Sequence, residues 1–496
     1  MSQLKKLAGQ TAIYGLSSIL GRSINFLLII VYTAYLSEAD LGAFTGIYAL
    51  IGFLNIVFTY GMETAFFRFS TGKSLDPKQV YSNTQSLLLC STLLLGTLVY
   101  LAAPFLAQSM NYPDQAYLFQ WTALILSFDA LLAIPFAKLR LDNKALSFAT
   151  AKVINILLNV GFNLLFLIWI PTWIEAGAFS SDIFPSTWGV EYILLSNLLA
   201  NGLIIPLVWW KAGAFHFQLK KEILYPMWGY SLPLLAMGLA GVTNELLSRL
   251  LFEFVLPLNF YPGLNSREAA GIFGANFKLA ILMNLVIQAF KYAAEPFFFR
   301  QSGEKDSPYL YAQVMHGFVI FCSLLMLVLS VNLNWIGPLF LKGSSYTLGF
   351  SIVPILLGSY LLLGVYFNVS IWFKLTDKTA YSFWITCLGA AVSAGCIFLL
   401  VPVWGFMGAA VGSVACYLVM TLVCFYYGQK FYPIPYHSFK GLVYVTVAFA
   451  LSYVGFYLEL GSFWLDFLAK NMLILLFLGG FFLVDRKFIS GILEKK

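Results

Sequence analysis

The sequence predicts an all-α, polytopic membrane protein of about 14 transmembrane helices: two parallel-repeat six-helix lobes followed by two extra C-terminal helices. Three observations predict it. Of the 496 residues, 60% are hydrophobic and only 10% charged, against about 25% charged in soluble globular chains. Apolar runs long enough to cross ~30 Å of hydrocarbon as a helix recur from end to end. Segments of the first half also repeat in the second at a nearly constant offset.

Fourteen runs qualify, roughly 10–36, 41–67, 81–107, 116–139, 145–170, 188–210, 226–256, 269–298, 309–336, 346–373, 380–402, 405–428, 441–458 and 463–484. The least defined are 441–458 and the boundary between 380–402 and 405–428, where only "VPVWGFMG" intervenes. The first run reads as a retained helix. Lys5 and Lys6 resemble the basic start of a signal peptide, but the run is too long, contains Arg22 and has no small-residue cleavage site.

The net charge of +7 loses its nucleic-acid meaning once the basic residues are placed. With the N-terminus cytoplasmic, 22 of the 29 Lys and Arg fall in tails or loops on that side, among them Lys73, Lys78, the stretch Lys138 to Lys152, Lys220, Lys221, Lys374 and Lys378. Arg267, Lys342 and Lys470 fall outside; Arg22, Arg249, Lys278 and Lys291 lie within spans. This is the positive-inside asymmetry. It predicts a multi-pass protein of the plasma (inner) membrane with both termini cytoplasmic and no nucleic-acid partner. The six cysteines lie inside spans without a C-x-x-C pair, and His216, His316 and His437 are too scattered for a metal site. No metal, cofactor or catalytic residue is expected.

The repeat rests on two matches. Residues 61–73, "GMETAFFRFSTGK", and 293–305, "AAEPFFFRQSGEK", share E-x-x-F-F-R, pairing Glu63 with Glu295 and Arg68 with Arg300 at an offset of 232. Residues 142–148, "DNKALSF", and 377–383, "DKTAYSF", match at an offset of 235. "LGAF" at 41–44 and "AGIF" at 270–273 open the second and eighth spans alike. A six-span unit is even, so both copies enter the membrane from one side and the repeat is parallel. The expected domains are 1–215 (spans one to six), 216–430 (spans seven to twelve) and 431–496 (spans thirteen and fourteen with a cytoplasmic tail). The basic "HFQLKKE" around Lys220 and Lys221 joins the lobes.

A charge at mid-bilayer costs roughly 2.5–3.5 kcal/mol, so it usually faces a cavity or a partner. Span one carries Tyr14, Ser18, Arg22, Asn25 and Tyr32 on one helical face; span two carries Thr45, Tyr48, Gly52, Asn55, Thr59 and Glu63. Span seven holds Glu245, Arg249 and Glu253 at successive i,i+4 steps, which can neutralise one another. Span eight carries Asn284, Gln288, Lys291 and Glu295, with Lys278 higher, and span four holds a lone Asp129. Arg22, Asn25, Asn55, Arg249, Lys278, Gln288 and Lys291 are therefore candidates for lining a substrate cavity. Glu63, Asp129 and Glu295 are candidates for carrying a proton or Na⁺. The competing reading is helix–helix glue, worth ~0.6 kcal/mol per interhelical hydrogen bond.

Several stretches resemble the O-antigen-type (Wzx-like) polysaccharide flippases of the multidrug/oligosaccharidyl-lipid/polysaccharide (MOP) exporter superfamily. They are "LSEADLGAFTGIYAL", "IPFAKLRLDNKALSFATAKVINILLN", "GYSLPLLAMGLAGVTNELLSRLLF", "IQAFKYAAEPFFFR" and "NVSIWFKLTDKTAYSF". The resemblance covers about residues 5–430, and the last two helices are similar to the extra pair of fourteen-span members. It implies two six-helix bundles alternating in access, which flip an undecaprenyl-pyrophosphate-linked oligosaccharide to the outer leaflet for surface polysaccharide such as the O-antigen of lipopolysaccharide. Implied partners are the lipid-linked oligosaccharide, membrane lipids, and a polysaccharide polymerase and glycosyltransferases. The implied role of Arg22 and Arg249 is to contact the anionic head group.

Two alternatives compete with that reading. A cation-coupled drug exporter of the same superfamily would favour carboxylates such as Asp129 and Glu63 over the four basic residues. A membrane-embedded enzyme such as a polymerase would show a large hydrophilic loop or a His/Asp/Glu constellation. The longest external loop, 171–187, offers only Glu175 and Asp182, so a non-enzyme is expected. The loop charges place 69–79 and 211–224 inside and 171–187 outside. Single cysteines introduced in 211–224 should then resist an impermeant maleimide in intact cells and react after permeabilisation; the reverse pattern would invert the topology.

Overall fold

The computed structural model describes residues 21, 23–71, 75–178, 180, 184–185, 188–301, 304, 306–376 and 378–486, without the side chains of 292, 293, 295, 296, 299 and 300. Among the described residues the regular secondary structure is all helical, with no strand assigned. Among the described residues, thirteen helices are long and apolar enough to cross a membrane, and Ser23–Tyr35 (α1) is a shorter apolar one. The earlier part of the first expected span lies outside the described residues. The chain is a multi-pass integral membrane protein.

In the first repeat the helices are α2 (Glu38–Thr59), α3 (Met62–Thr71), α4 (Pro77–Leu101), α5 (Ala103–Ser109), α6 (Ala116–Leu141), α7 (Ala145–Leu164), α8 (Ile170–Glu175) and α9 (Val190–Ala212). Ser37 starts α2 through a capping box: its hydroxyl accepts from the Asp40 N–H at 3.1 Å, and the Asp40 carboxylate reaches back to Ser37. The second span is interrupted between α2 and α3 at Tyr60 and Gly61, both with positive φ (32° and 73°). Gly61 suits that turn twice over, since a Cβ there would meet the Leu234 Cβ at 2.9 Å. The fifth span contains a π-helical turn, Leu165–Trp169, just before Pro171. A proline cannot donate its backbone bond, and a one-residue register slip absorbs the defect.

The later helices are α10 (Lys221–Val255), α11 (Ser266–Gln301), α12 (Ser307–Val331), α13 (Leu333–Phe340), α14 (Val353–Val369), α15 (Ile371–Leu375), α16 (Ala380–Trp404), α17 (Phe406–Phe431), α18 (Ser438–Tyr457) and α19 (Phe463–Val484). A 3₁₀ segment, Ser344–Ile352, leads into α14. The boundary that was hard to place in sequence is the single residue Gly405, with φ 54°. It lets α17 fold straight back on α16, so closely that a Cβ on Gly408 would come within 2.3 Å of the Leu400 carbonyl oxygen.

Two compact units result. One runs to Phe254 and includes Tyr261–Gly271; the other comprises Val255–Phe260 and the chain from Ile272 onward. The repeat pattern counts α10 as the first helix of the second copy, yet it packs with unit 1. Trp228 meets Tyr60 (centroids 5.2 Å apart), and Leu246 lies over Gly52. The connection 213–220 is tied to α4 rather than loose: the backbone N–H groups of His216, Gln218 and Lys220 donate to Ser82 Oγ (3.2 Å), Ser86 Oγ (3.1 Å) and Asn83 Oδ1 (2.6 Å). Alternate N–H groups of an extended strand point one way, and Ser82, Asn83 and Ser86 meet them.

In unit 2, Asp485, just beyond α19, gathers three donors from elsewhere in the chain. These are Lys440 Nζ (2.5 Å), Tyr444 Oη (2.6 Å) and His316 Nε2 (2.9 Å). His316 and His437, expected to be scattered, have ring centroids 5.3 Å apart. This cluster fastens the C-terminal pair to α12. Burial works to raise the Asp485 carboxyl, but the bonds from Lys440, Tyr444 and His316 outweigh it and hold it below its ordinary value. A depressed folded-state value gives stability that is present above the unfolded value, about pH 4, and lost as the pH falls through the folded one. Asp485→Asn should cost ~1–3 kcal/mol, read as faster amide exchange in α19. The gap from wild type should narrow as the pH drops below about 4.

Candidate functional site

Unit 1 contains a polar cavity of about 260 Å³ between α3, α6, α7 and α9. Its charged lining is Glu63, Asp129, Arg140 and Lys152, with Asn155 and Asn201. α3 leaves the Tyr60–Gly61 turn and presents Glu63, its second residue, to the Arg140 guanidinium of α6, with which it forms an ion pair. The pair is partly open, Glu63 being 43% exposed and Arg140 31%. Arg140 also lies over Phe67 and Phe148 (5.0 and 5.6 Å to the centroids), and Lys152 over Phe136 at 4.2 Å.

Deeper along α6, Asp129 accepts from Asn201 Nδ2 at 2.8 Å. Asn201 also accepts from Asn155 (3.0 Å) and donates to Asn197 (2.9 Å), which donates to the Tyr48 hydroxyl (3.1 Å). Asn163, further along α7, accepts from Tyr32 at 3.0 Å. A chain of amides thus runs along α7 and α9. Its two carboxylates differ in kind. Glu63 holds a guanidinium, whereas Asp129 accepts from a neutral amide and lies within electrostatic reach of the Lys152 ammonium.

The expected site residues distribute unevenly. Glu63 and Asp129 come together in unit 1. Asn25 is exposed on α1, Asn55 is half-buried on α2 outside this cavity, and Arg22 lies outside the described residues. Arg249 meets Glu245 at 4.0 Å, but the expected Glu245–Arg249–Glu253 triad is not formed. Glu253 pairs instead with Arg267 (3.1 Å), whose guanidinium also covers Tyr112 at 3.9 Å. The residue counted as an outer-loop cation thus neutralises the last acid of α10. Lys278 is half-buried on α11, and Gln288 donates to Asn284 at 3.2 Å. The Glu295 side chain lies outside the description.

Lys291 belongs to a second cavity, of about 160 Å³, wholly within unit 2. It lies over Phe367 at 4.3 Å, and Asn368, Ser370, Lys374 and Ser382 share the lining. Arg140, Lys152, Asn155, Asn201, Asn368 and Lys374 were not anticipated. Lys152 had been placed in a loop and Asp129 taken as lone. The missed signal was the spacing of Lys152, Asn155, Asn159 and Asn163, which puts one polar stripe on α7.

The fold is that of known transporters. The lipid II flippase MurJ, in an inward closed conformation, matches with TM-score 0.69 at 14% identity, over 94% of this chain and 98% of the flippase. An inward-facing multidrug resistance MATE family transporter of the MOP superfamily matches with TM-score 0.61 at 16% identity, over 85% and 94%. The Vibrio cholerae MATE transporter VcmN gives 0.60 at 16%, over 86% and 97%. No family model matches the chain, and no curated protein sequence does. At such identities the likeness is one of fold.

The unit 1 pair can be measured by a double-mutant cycle. Glu63→Gln, Arg140→Gln and the double variant should show non-additive thermal stability in detergent, with coupling at the lower end of ~0.5–3 kcal/mol because both side chains are partly exposed. Additive losses would mean that the contact contributes nothing.

Proposed function

We propose that this chain is a MOP-superfamily flippase that moves an undecaprenyl-pyrophosphate-linked oligosaccharide from the cytoplasmic to the outer leaflet by alternating access. The observation that carries the reading is the reach of the fold likeness. The match to the lipid II flippase takes in nearly the whole of both chains, whereas the matches to the drug transporters leave out a length about that of the C-terminal helix pair. The chemistry agrees. Arg249 in unit 1, and Lys278 and Lys291 in unit 2, are of the kind that offsets the desolvation of a pyrophosphate, as is the expected cavity residue Arg22; Asn25, Asn55 and Gln288 are amides of the kind that sugars bond. Glycosyltransferases would supply such a substrate and a polymerase would consume it.

Of the coupling candidates Glu63, Asp129 and Glu295, we favour Asp129, which is hydrogen-bonded by an amide rather than tied to a guanidinium. The same carboxylates support a second reading, cation-coupled drug export, to which the MATE likeness also points.

Both readings can be tested in one vesicle preparation. The purified chain is reconstituted with a fluorescent undecaprenyl-pyrophosphate oligosaccharide, and translocation is followed by access to an impermeant glycosidase, with pH and Na⁺ gradients imposed separately. We expect gradient-dependent translocation that Asp129→Asn uncouples. Arg22→Glu should abolish it, and Arg22→Lys should retain more than Arg22→Gln, since lysine keeps the charge but loses the planar fork. Efflux of an organic cation without lipid translocation would favour the second reading. Full activity of Arg22→Glu would remove that residue from the anion site.

A further inference from the structure

The cavities of the two units occupy the same point of the repeat. Adding the offset of 235 to Asp129, Leu132, Ala133 and Phe136 gives Gly364, Phe367, Asn368 and Ile371. The first four line the unit 1 cavity and the second four line the unit 2 cavity. One hollow has therefore been kept and its chemistry exchanged. The Asp129 carboxylate is replaced by Gly364, and the Ala133 methyl by the Asn368 carboxamide.

Asn368 is 4% exposed. Its amide donates to the Gly364 carbonyl at 3.0 Å, and its Oδ1 has no hydrogen-bond partner among the described residues. A buried acceptor left without a donor is costly in a native fold and calls for an explanation. Around it, the described lining brings two ammonium groups, Lys291 and Lys374, and two serine hydroxyls, with an apolar wall that includes Phe290 and Phe367. Ammonium groups suit a phosphate, and an orphaned carboxamide oxygen suits a hydroxyl donor such as a sugar carries.

We infer that the unit 2 cavity is a binding site for a sugar phosphate. Lys291 and Lys374 take the phosphate, a sugar hydroxyl donates to Asn368 Oδ1, and the phenylalanine wall faces the carbon skeleton of the ring. The inference rests on the flippase reading only for its source, the phosphate-linked first sugar of the lipid-bound glycan; a soluble sugar phosphate carries the same chemistry.

The test is calorimetric binding to the full chain in nanodiscs. The probes are glucose 1-phosphate, N-acetylglucosamine 1-phosphate, the two free sugars and inorganic phosphate. At least one sugar phosphate should bind more tightly than its sugar or inorganic phosphate. Lys291→Gln and Lys374→Gln should each weaken it about tenfold or more. Asn368→Leu should weaken the sugar phosphate but leave inorganic phosphate unchanged, a split that a merely structural role would not produce. Should that variant fail to fold, Asn368→Asp keeps the volume and should weaken both through charge.

Equal affinity across folded variants, or no saturable binding of either sugar phosphate by the wild type, would overturn the site. Undecaprenyl-linked sugar phosphate in the nanodisc should compete; its failure to compete while the soluble probes bind would overturn the lipid source. In the translocation vesicles, lost binding with intact flipping in Lys374→Gln would overturn the lipid source and leave the flippase reading standing, and intact binding without any flipping sinks the flippase reading alone.

Discussion

A charge inside hydrocarbon has to be partnered, and in unit 1 that constraint decides which helices meet. An unmatched carboxylate or guanidinium at mid-span costs several kcal/mol, so each one draws in a neighbour. Glu63 joins α3 to α6 through Arg140, and Asp129 joins α6 to α9 through Asn201. Asn155 joins α7 to α9, and Glu253 pulls Arg267 back onto the end of α10. Apolar packing gives these helices their length and burial, but lipid tails are as apolar as leucine and select no particular neighbour. The polar contacts do.

The same constraint acts on the backbone. Outside helices, every N–H needs another acceptor. Segment 213–220 meets that demand through Ser82, Asn83 and Ser86 of α4. The joint between the repeats is thereby anchored to the first of them. Asp485 does comparable work at the other end, gathering His316, Lys440 and Tyr444. Asp485 thus ties the end of α19 to α18 through Lys440 and Tyr444 and to α12 through His316, while Asn471 and Tyr453 reach Asn332 and the Ser351 carbonyl.

The helices were largely legible because apolar length is a local property. Thirteen of the expected spans stand as helices among the described residues, and the six-helix repeat follows from two short matches. Sites were legible only where polarity recurs along one helix. Glu63 and Asp129 were visible as costly residues, but that they share a cavity depends on the turn after α2 and on how α6 lies against α9. Lys152 was misread because a lysine seven residues past a loop counts equally well as an interfacial anchor. Glu253 was matched to the acid–base spacing of its own helix, while its partner arrives from the next one. Asn368 and Lys374 carry no local mark at all; their meeting with Lys291 requires α11, α14 and α15 to be in place.

The two repeats also differ at the residue that forms the break. "YGMETAFFR" begins at Tyr60 and "YAAEPFFFR" at Tyr292, so Gly61 of the first copy stands where Ala293 stands in the second. Gly61 adopts φ 73°, a value that alanine takes only with strain. The first copy accordingly breaks into α2 and α3, while α11 runs through the equivalent point as one helix to Gln301. The span with the hinge thus carries a glycine at this point and the continuous span an alanine. The hinge lies two residues before Glu63, where it sets the angle at which α3 presents that carboxylate to Arg140 and lets Gly61 pack against Leu234 of α10. The same hollow stands at matching points of the two copies; the glycine at this turn, with Asp129 in place of a glycine and Ala133 in place of an asparagine, sets the first copy apart from the second.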